Sequence, residues 1–149
     1  MDAHIFLRRC LNSTDLERAC DAVAAELLMP LDEVRASAGG DASVDTLRML
    51  ARRFEVSLHA MAVCINELKI WKHSIGLWRW DGGATELWFV GRRLWPTRTP
   101  YFNAFELAMQ SQGAVKMSEM YMRMDGARFA LIEVRRLGKD YLLAVISSL

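Results

Sequence analysis

The chain has no run of about 18 apolar residues, the length that a membrane-spanning helix needs, although 52% of its 149 residues are hydrophobic. Charges at Asp2, Arg8 and Arg9 interrupt the stretch where a secretory signal would need unbroken apolar residues. A cytoplasmic protein without a membrane partner is expected. An excess of one charge is also missing. With 19 basic and 18 acidic side chains the formal net charge is +1, so no global field draws the chain to nucleic acid or anionic lipid, and any basic patch would be local. Cysteine is scarce: Cys10, Cys20 and Cys64 are odd in number, lack Cys-x-x-Cys spacing and fall in apolar helical patterns. They are expected to be small, reduced core residues.

What is present is enough apolar content and length for one or two compact units with a true core. The segment from Glu17 to Pro30 organises the N-terminal part. Leu16, Cys20, Val23 and Leu27 recur at helical spacing, while Glu17, Arg18 and Asp21 take other sides, so an amphipathic helix is expected. Thr14 stands three residues before Glu17, the spacing of a capping box. Pro30 lacks an amide hydrogen and disfavours helical geometry at Met29, which should end the helix there.

The string Ala24-Ala25-Glu26-Leu27-Leu28-Met29-Pro30, preceded by Glu17 and Asp21, resembles the helix that carries the third zinc ligand in the ImmA/IrrE family of metallopeptidases. The resemblance implies a zincin-like peptidase remnant over residues 1–38, with the ligand helix at 15–29 and the ligand glutamate at Glu17. Such a protease needs two imidazoles one helical turn apart and a glutamate beside the first. No His-Glu-x-x-His occurs in this sequence. His4 fits the second histidine, with the helical pattern continuing through Leu11. The first would then fall before Met1, and Met1 would occupy the place of the proton-transferring glutamate. The chain is therefore expected to be the C-terminal part of a longer protein, with zinc bound by the full-length family and not by this chain alone. Each ligand residue also has a plainer role: Glu17 as the capping-box residue, His4 as a frayed surface side chain.

Leu31 to Ser43 contains Ala38-Gly39-Gly40-Asp41 and is expected to be a flexible connection. Two short helices follow within residues 43–70, one with Leu47, Leu50, Ala51 and Phe54 inward, the other with Met61, Cys64, Ile65 and Leu68 inward and Ser57 as its cap. The pair resembles a helix-turn-helix, a unit that commonly follows the protease helix in the family. Its second helix offers His59, Asn66, Glu67 and Lys69, a poor set for base edges. Glu55 stands where a DNA-binding turn often has glycine. Packing against neighbouring elements is the stronger reading, and DNA is not the expected partner.

From Trp71 the period changes to that of strands. Segments at 74–80, 85–93, 117–124, 128–136 and 141–147, with hairpin turns at Asp81-Gly82-Gly83 and Gly138-Lys139-Asp140 and a helix at 101–112 closed by Gly113, imply an antiparallel sheet of about five strands with one helix across it. The fold class is α+β. Residues 71–149 are compatible with the GAF-like sensor domain of the radiation-response branch of the family. Trp71, Trp78, Trp80, Trp88 and Trp95 crowd this region and are candidates for a ligand pocket, or for core filling.

The expected function is a truncated ImmA/IrrE-type peptidase, inert on its own, from a family that cleaves a transcriptional repressor under stress or in mobile elements. The alternative is a non-enzymatic module that binds a protein or small signal, and behind it a DNA-binding repressor.

Overall fold

Pro30 divides the first helical stretch in two. The structure, a computed structural model, describes residues 13–95 and 102–149. Helix α1 (Ser13–Leu28) stops just before Met29, and α2 (Leu31–Ala38) starts directly after the proline. The expected flexible connection is thus a helix in its first half. Pro30 at its N-cap needs no amide hydrogen, and Asp32 and Glu33 sit in the first turn, where carboxylates favour the helix dipole. Helix α1 begins at Ser13, so Thr14 lies inside the first turn and not ahead of it.

Helices α3 (Val44–Arg53) and α4 (Leu58–Glu67) each begin at a serine whose hydroxyl accepts a backbone N–H three residues on: Ser43 from Thr46 and Ser57 from Ala60, both at 3.0 Å. Each ends in a Schellman motif. Val56 N–H reaches Ala51 O at 2.9 Å and Glu55 N–H reaches Arg52 O, while Ile70 N–H reaches Ile65 O and Lys69 N–H reaches Asn66 O. The left-handed positions are Glu55 at φ 54° and Lys69 at φ 52°, where glycine would meet no Cβ clash.

Strands β1 (Ser74–Trp80) and β2 (Ala84–Val90) form a hairpin, and α5 (Asn103–Gln110) leads to the meander β3 (Val115–Arg123), β4 (Gly126–Leu137) and β5 (Tyr141–Ser148). The sheet order is β2-β1-β5-β4-β3, antiparallel throughout. Helix α5 is shorter than the sequence suggests. Ser111 is already extended, so Gly113 is not its C-cap.

Both faces of the sheet are covered, which explains why Leu142 to Ile146 are buried without alternation. On one face Ile75, Val90, Leu143 and Val145 share a core with Val34, Leu47, Leu50, Met61 and Ile65 of the helices. On the other, Trp78, Ala130, Ile132, Val134 and Ala144 pack with Phe102, Phe105 and Ala108. Residues 43–70 and the sheet therefore have one hydrophobic core in common.

Two glutamates tie the helices to the sheet. Glu119 of β3, 8% exposed, accepts the backbone N–H of Asn103 at 2.8 Å and of Ala104 at 2.6 Å. Phe102 at the N-cap has no side-chain oxygen, so the carboxylate takes over the capping of α5 from a distant strand. Arg136 of β4 donates to Met109 O at the other end of that helix. On the opposite face Glu133 of β4 accepts Val44 N–H at 2.8 Å, and Arg135 pairs with Asp45 at 2.8 Å, so β4 holds the start of α3.

Replacing Glu119 with alanine leaves one buried and one part-buried amide without an acceptor and is expected to lower the unfolding free energy by about 2 kcal/mol, read from urea denaturation; Glu119→Gln should cost less. Lys69→Gly relieves the left-handed residue and should raise stability by about 1 kcal/mol in the same assay.

Candidate functional site

Glu17 lies in the second turn of α1 with its side chain exposed. His4, the other expected ligand, lies outside the described residues. Zinc needs three protein donors or more, and among the described residues no group of three or more His, Cys, Asp or Glu side chains is placed to hold a metal. The described residues therefore do not by themselves make up a zinc site, and Glu17 is the one described member of the expected set.

The described side chains on the apolar side of α1 are turned outward. Val23 is 56% exposed and Leu27 77%, and Cys20 is exposed as well, contrary to its expected core role. Spacing shows which side of a helix is apolar but not what covers it. Among the described side chains the first buried one is Met29, beyond the helix end. Cys64 does lie in the core. Burial pushes its thiol pKa up, and the carboxylates of Glu67 and Glu26 push it further, which makes it a poor nucleophile and metal ligand. Cys10 lies outside the described residues.

The sheet divides the five tryptophans. Trp71 belongs to the core shared with the helices and Trp88 packs against it, while Trp78, Trp80 and Trp95 are on the opposite face. Trp71 donates its indole N–H to Ala38 O at 3.0 Å and so closes the end of α2. Trp88 stacks on His59 of α4 at 4.9 Å. Trp78 and Trp95 enter a closed circuit of rings that sequence reading did not identify. It runs Trp78, Phe89, Trp95, Phe102, Phe105 and back to Trp78, with centroids 4.9 to 6.2 Å apart. The signal was present in the helical spacing of Phe102 and Phe105, but their partners are far away in sequence.

Gly76 makes room for this circuit. A Cβ there would come within 2.7 Å of Trp78 Cζ3 and 3.0 Å of Phe89 Cδ2.

At least two open grooves are lined by described residues. One, of about 310 Å³, is lined by Arg93, Leu94, Trp95, Arg123, Met124 and Asp125. Both arginines already have carboxylate partners: Arg93 with Glu86 at 2.7 Å and Arg123 with Asp125 at 3.7 Å. The other, of about 410 Å³, runs beside Arg48, Arg52, Glu55 and Leu137, and Arg48 faces Asp45 at 3.6 Å. Among the described residues neither is lined by a histidine or a cysteine.

The His73 imidazole has a displaced titration. Burial and the nearby Lys116 ammonium lower its pKa, against an opposing pull from Glu133. Its Nδ1 is buried and has no hydrogen-bond partner among the described residues. Below about pH 6.5 the unfolded chain takes up this proton more readily than the folded one, so the contribution of His73 to stability is present above that pH and is lost on acidification. Urea midpoints measured from neutral to mildly acidic pH should fall, and the fall should be shallower in His73→Gln.

Residues 6–66 match the family profile of the IrrE N-terminal-like domain, Peptidase_M78. The matched span ends one residue short of the end of α4 and leaves all five strands outside. No curated protein matches the chain. The profile match supports the ImmA/IrrE family of zinc metallopeptidases, to which Ala24 to Pro30 bear their resemblance.

Proposed function

We propose that this chain is a regulatory part of an ImmA/IrrE-type system, in which the helices related to the peptidase domain are coupled to a GAF-like sheet that senses or docks. The observation that carries the reading is the core that the helices and the sheet share. Val34, Leu47, Met61 and Ile65, all inside the matched span, pack with Ile75, Leu143 and Val145 of the sheet outside it. Anything that shifts the sheet would be felt by these helices through direct side-chain contact, because close-packed interiors transmit strain.

The partner under this reading is a transcriptional repressor, the substrate class of the family. The chain itself is proposed to be inert toward it. Peptide hydrolysis of this kind needs a proton acceptor next to a pair of imidazoles one turn apart, and the sequence contains no His-Glu-x-x-His. Glu17 would serve as a ligand residue only where other donors complete the set.

DNA reading is not part of the proposal. His59 of α4 is stacked on Trp88, and the inward side of that helix is taken up by Met61, Ala62, Cys64 and Ile65. What α4 leaves exposed includes Asn66 and the acidic Glu67, a weak surface for base edges and phosphates.

The test is to incubate the purified chain with zinc and a candidate repressor. No cleavage above background and less than one zinc per chain are expected. Stoichiometric zinc that disappears in Glu17→Ala, or repressor cleavage by the chain alone, would overturn the inert reading.

A further inference from the structure

We propose that β3 is a self-association strand, on which a second copy of this chain pairs antiparallel about a two-fold axis at Met120. The inference is independent of the proposed function and rests on the free edge of the sheet and the apolar surface beside it.

Strand β3 is at one end of the sheet order, and no described strand pairs with its outer side. The direction of its backbone groups follows from the ladder. Leu149 N–H donates to Phe129 O at 3.0 Å, which turns the backbone groups of Phe129 toward β5. Groups alternate along a strand, so those of Arg128 and Ala130 face β3 and engage their partners Tyr121 and Glu119. The N–H and C=O groups of Lys116, Ser118, Met120 and Met122 consequently point off the edge.

Edge strands are usually kept from pairing by proline, bulges, short length or charge. The nine residues of β3 contain no proline and no glycine, and their register with β4 has no bulge. The opposite edge, β2, is shorter and pairs through a bulge at Leu77/Trp78.

The surface beside the free edge is apolar. Met120 is 57% exposed, Met122 65%, Phe129 53% and Leu149 71%. They lie on the sheet face that α2 to α4 cover over β1 and β5. Among the described residues that cover does not extend to these side chains. Met120 stands opposite Phe129 and Met122 opposite Ala127, so the four large side chains form one patch along the margin of the sheet.

Charge favours an antiparallel second copy and is compatible with a register centred on Met120. An antiparallel copy centred on Met120 sets Ser118 against Met122, Lys116 against Met124, Met117 against Arg123 and Glu119 against Tyr121 of the second copy. No like charges meet. A parallel copy in register would put Lys116 on Lys116, Glu119 on Glu119 and Arg123 on Arg123, and an antiparallel copy centred one residue earlier would oppose the two Glu119 carboxylates. Like charges directly opposite destabilise a pair. The Met120 register also makes Met120 a hydrogen-bonded pair with itself, which the outward direction of its backbone groups allows, and it joins the two methionine patches across the axis. The two sheets become one of ten strands.

The test uses the full chain in sedimentation equilibrium over a dilution series. The wild type is expected at twice the 17.0 kDa of one chain, dissociating on dilution. Met120→Lys places two ammonium groups at the axis and should give the single-chain mass with an unchanged circular dichroism spectrum. Cross-linking checks the register in a background with Cys10 and Cys20 changed to serine. A hydrogen-bonded antiparallel pair has Cα atoms about 5.5 Å apart, within the roughly 4.4–6.8 Å a disulfide spans, so Met120→Cys should link two chains on mild oxidation. Met117→Cys would be offset from its own copy by about 20 Å along the strands and should not. A wild type at single-chain mass throughout, a dimer that survives Met120→Lys, or equal cross-linking of the two cysteine variants would overturn the proposal.

Discussion

The constraint on which the architecture depends is the unsatisfied amide groups at the start of a helix. Helix α5 begins after Phe102, which has no oxygen to offer, and the need is met by Glu119 from β3 at 2.6 and 2.8 Å. A carboxylate that is nearly removed from water is costly unless it is hydrogen-bonded, and amides at the positive end of a helix dipole are suitable partners. Each group makes the burial of the other tolerable. Glu133 does a comparable service for Val44 on the other face, beside the Arg135–Asp45 pair. The two glutamates have opposite parity on neighbouring strands of one hairpin, Glu119 toward α5 and Glu133 toward α3, so the β3–β4 pairing fixes where both helices lie.

With the helices set, the two cores follow. The β1–β5 centre of the sheet is enclosed on both sides, and its side chains are sorted by parity: Ile75 and Leu77 toward α2 to α4, Trp78 and Trp80 toward the α5 side. The large rings on the α5 side require a gap, and Gly76 supplies it by having no side chain under Trp78 and Phe89. The crowding of tryptophan in this quarter of the chain is largely explained by packing. Trp71, Trp78 and Trp95 are 7% exposed or less.

Much of the secondary structure was legible in the sequence because it depends on short-range rules. The serine cap of α4, the inward residues of α3 and α4, the two glycine-containing hairpins and the five strands all follow from spacing within a few residues. The elements read differently were those whose ends are set from outside. The pattern predicts a connection where α2 stands because its glycines come after it, and it runs α5 on to residue 112, whereas Ser111 is already extended and the Met109 carbonyl is met by Arg136 from β4. At the expected metal site, the string Ala24 to Pro30 and Glu17 were readable as letters, but local pattern says nothing of the other donors that a ligand needs around it.

Apart from α2, the sequence by itself determined which segments are helical or extended, which side of each is apolar, and that no His-Glu-x-x-His is present, since these depend on residue identity and on periods of two or 3.6. Only the tertiary structure decided which apolar sides are covered. Those of α3 and α4 are packed against the sheet, whereas Val23 and Leu27 of α1 face outward and Met120 and Met122 of β3 are exposed along an edge that no described strand covers. The reason is physical: amphipathicity is a property of one element, but burial is a property of a pair, and the partner is fixed by contacts such as Glu119 to Ala104 that join residues distant along the chain.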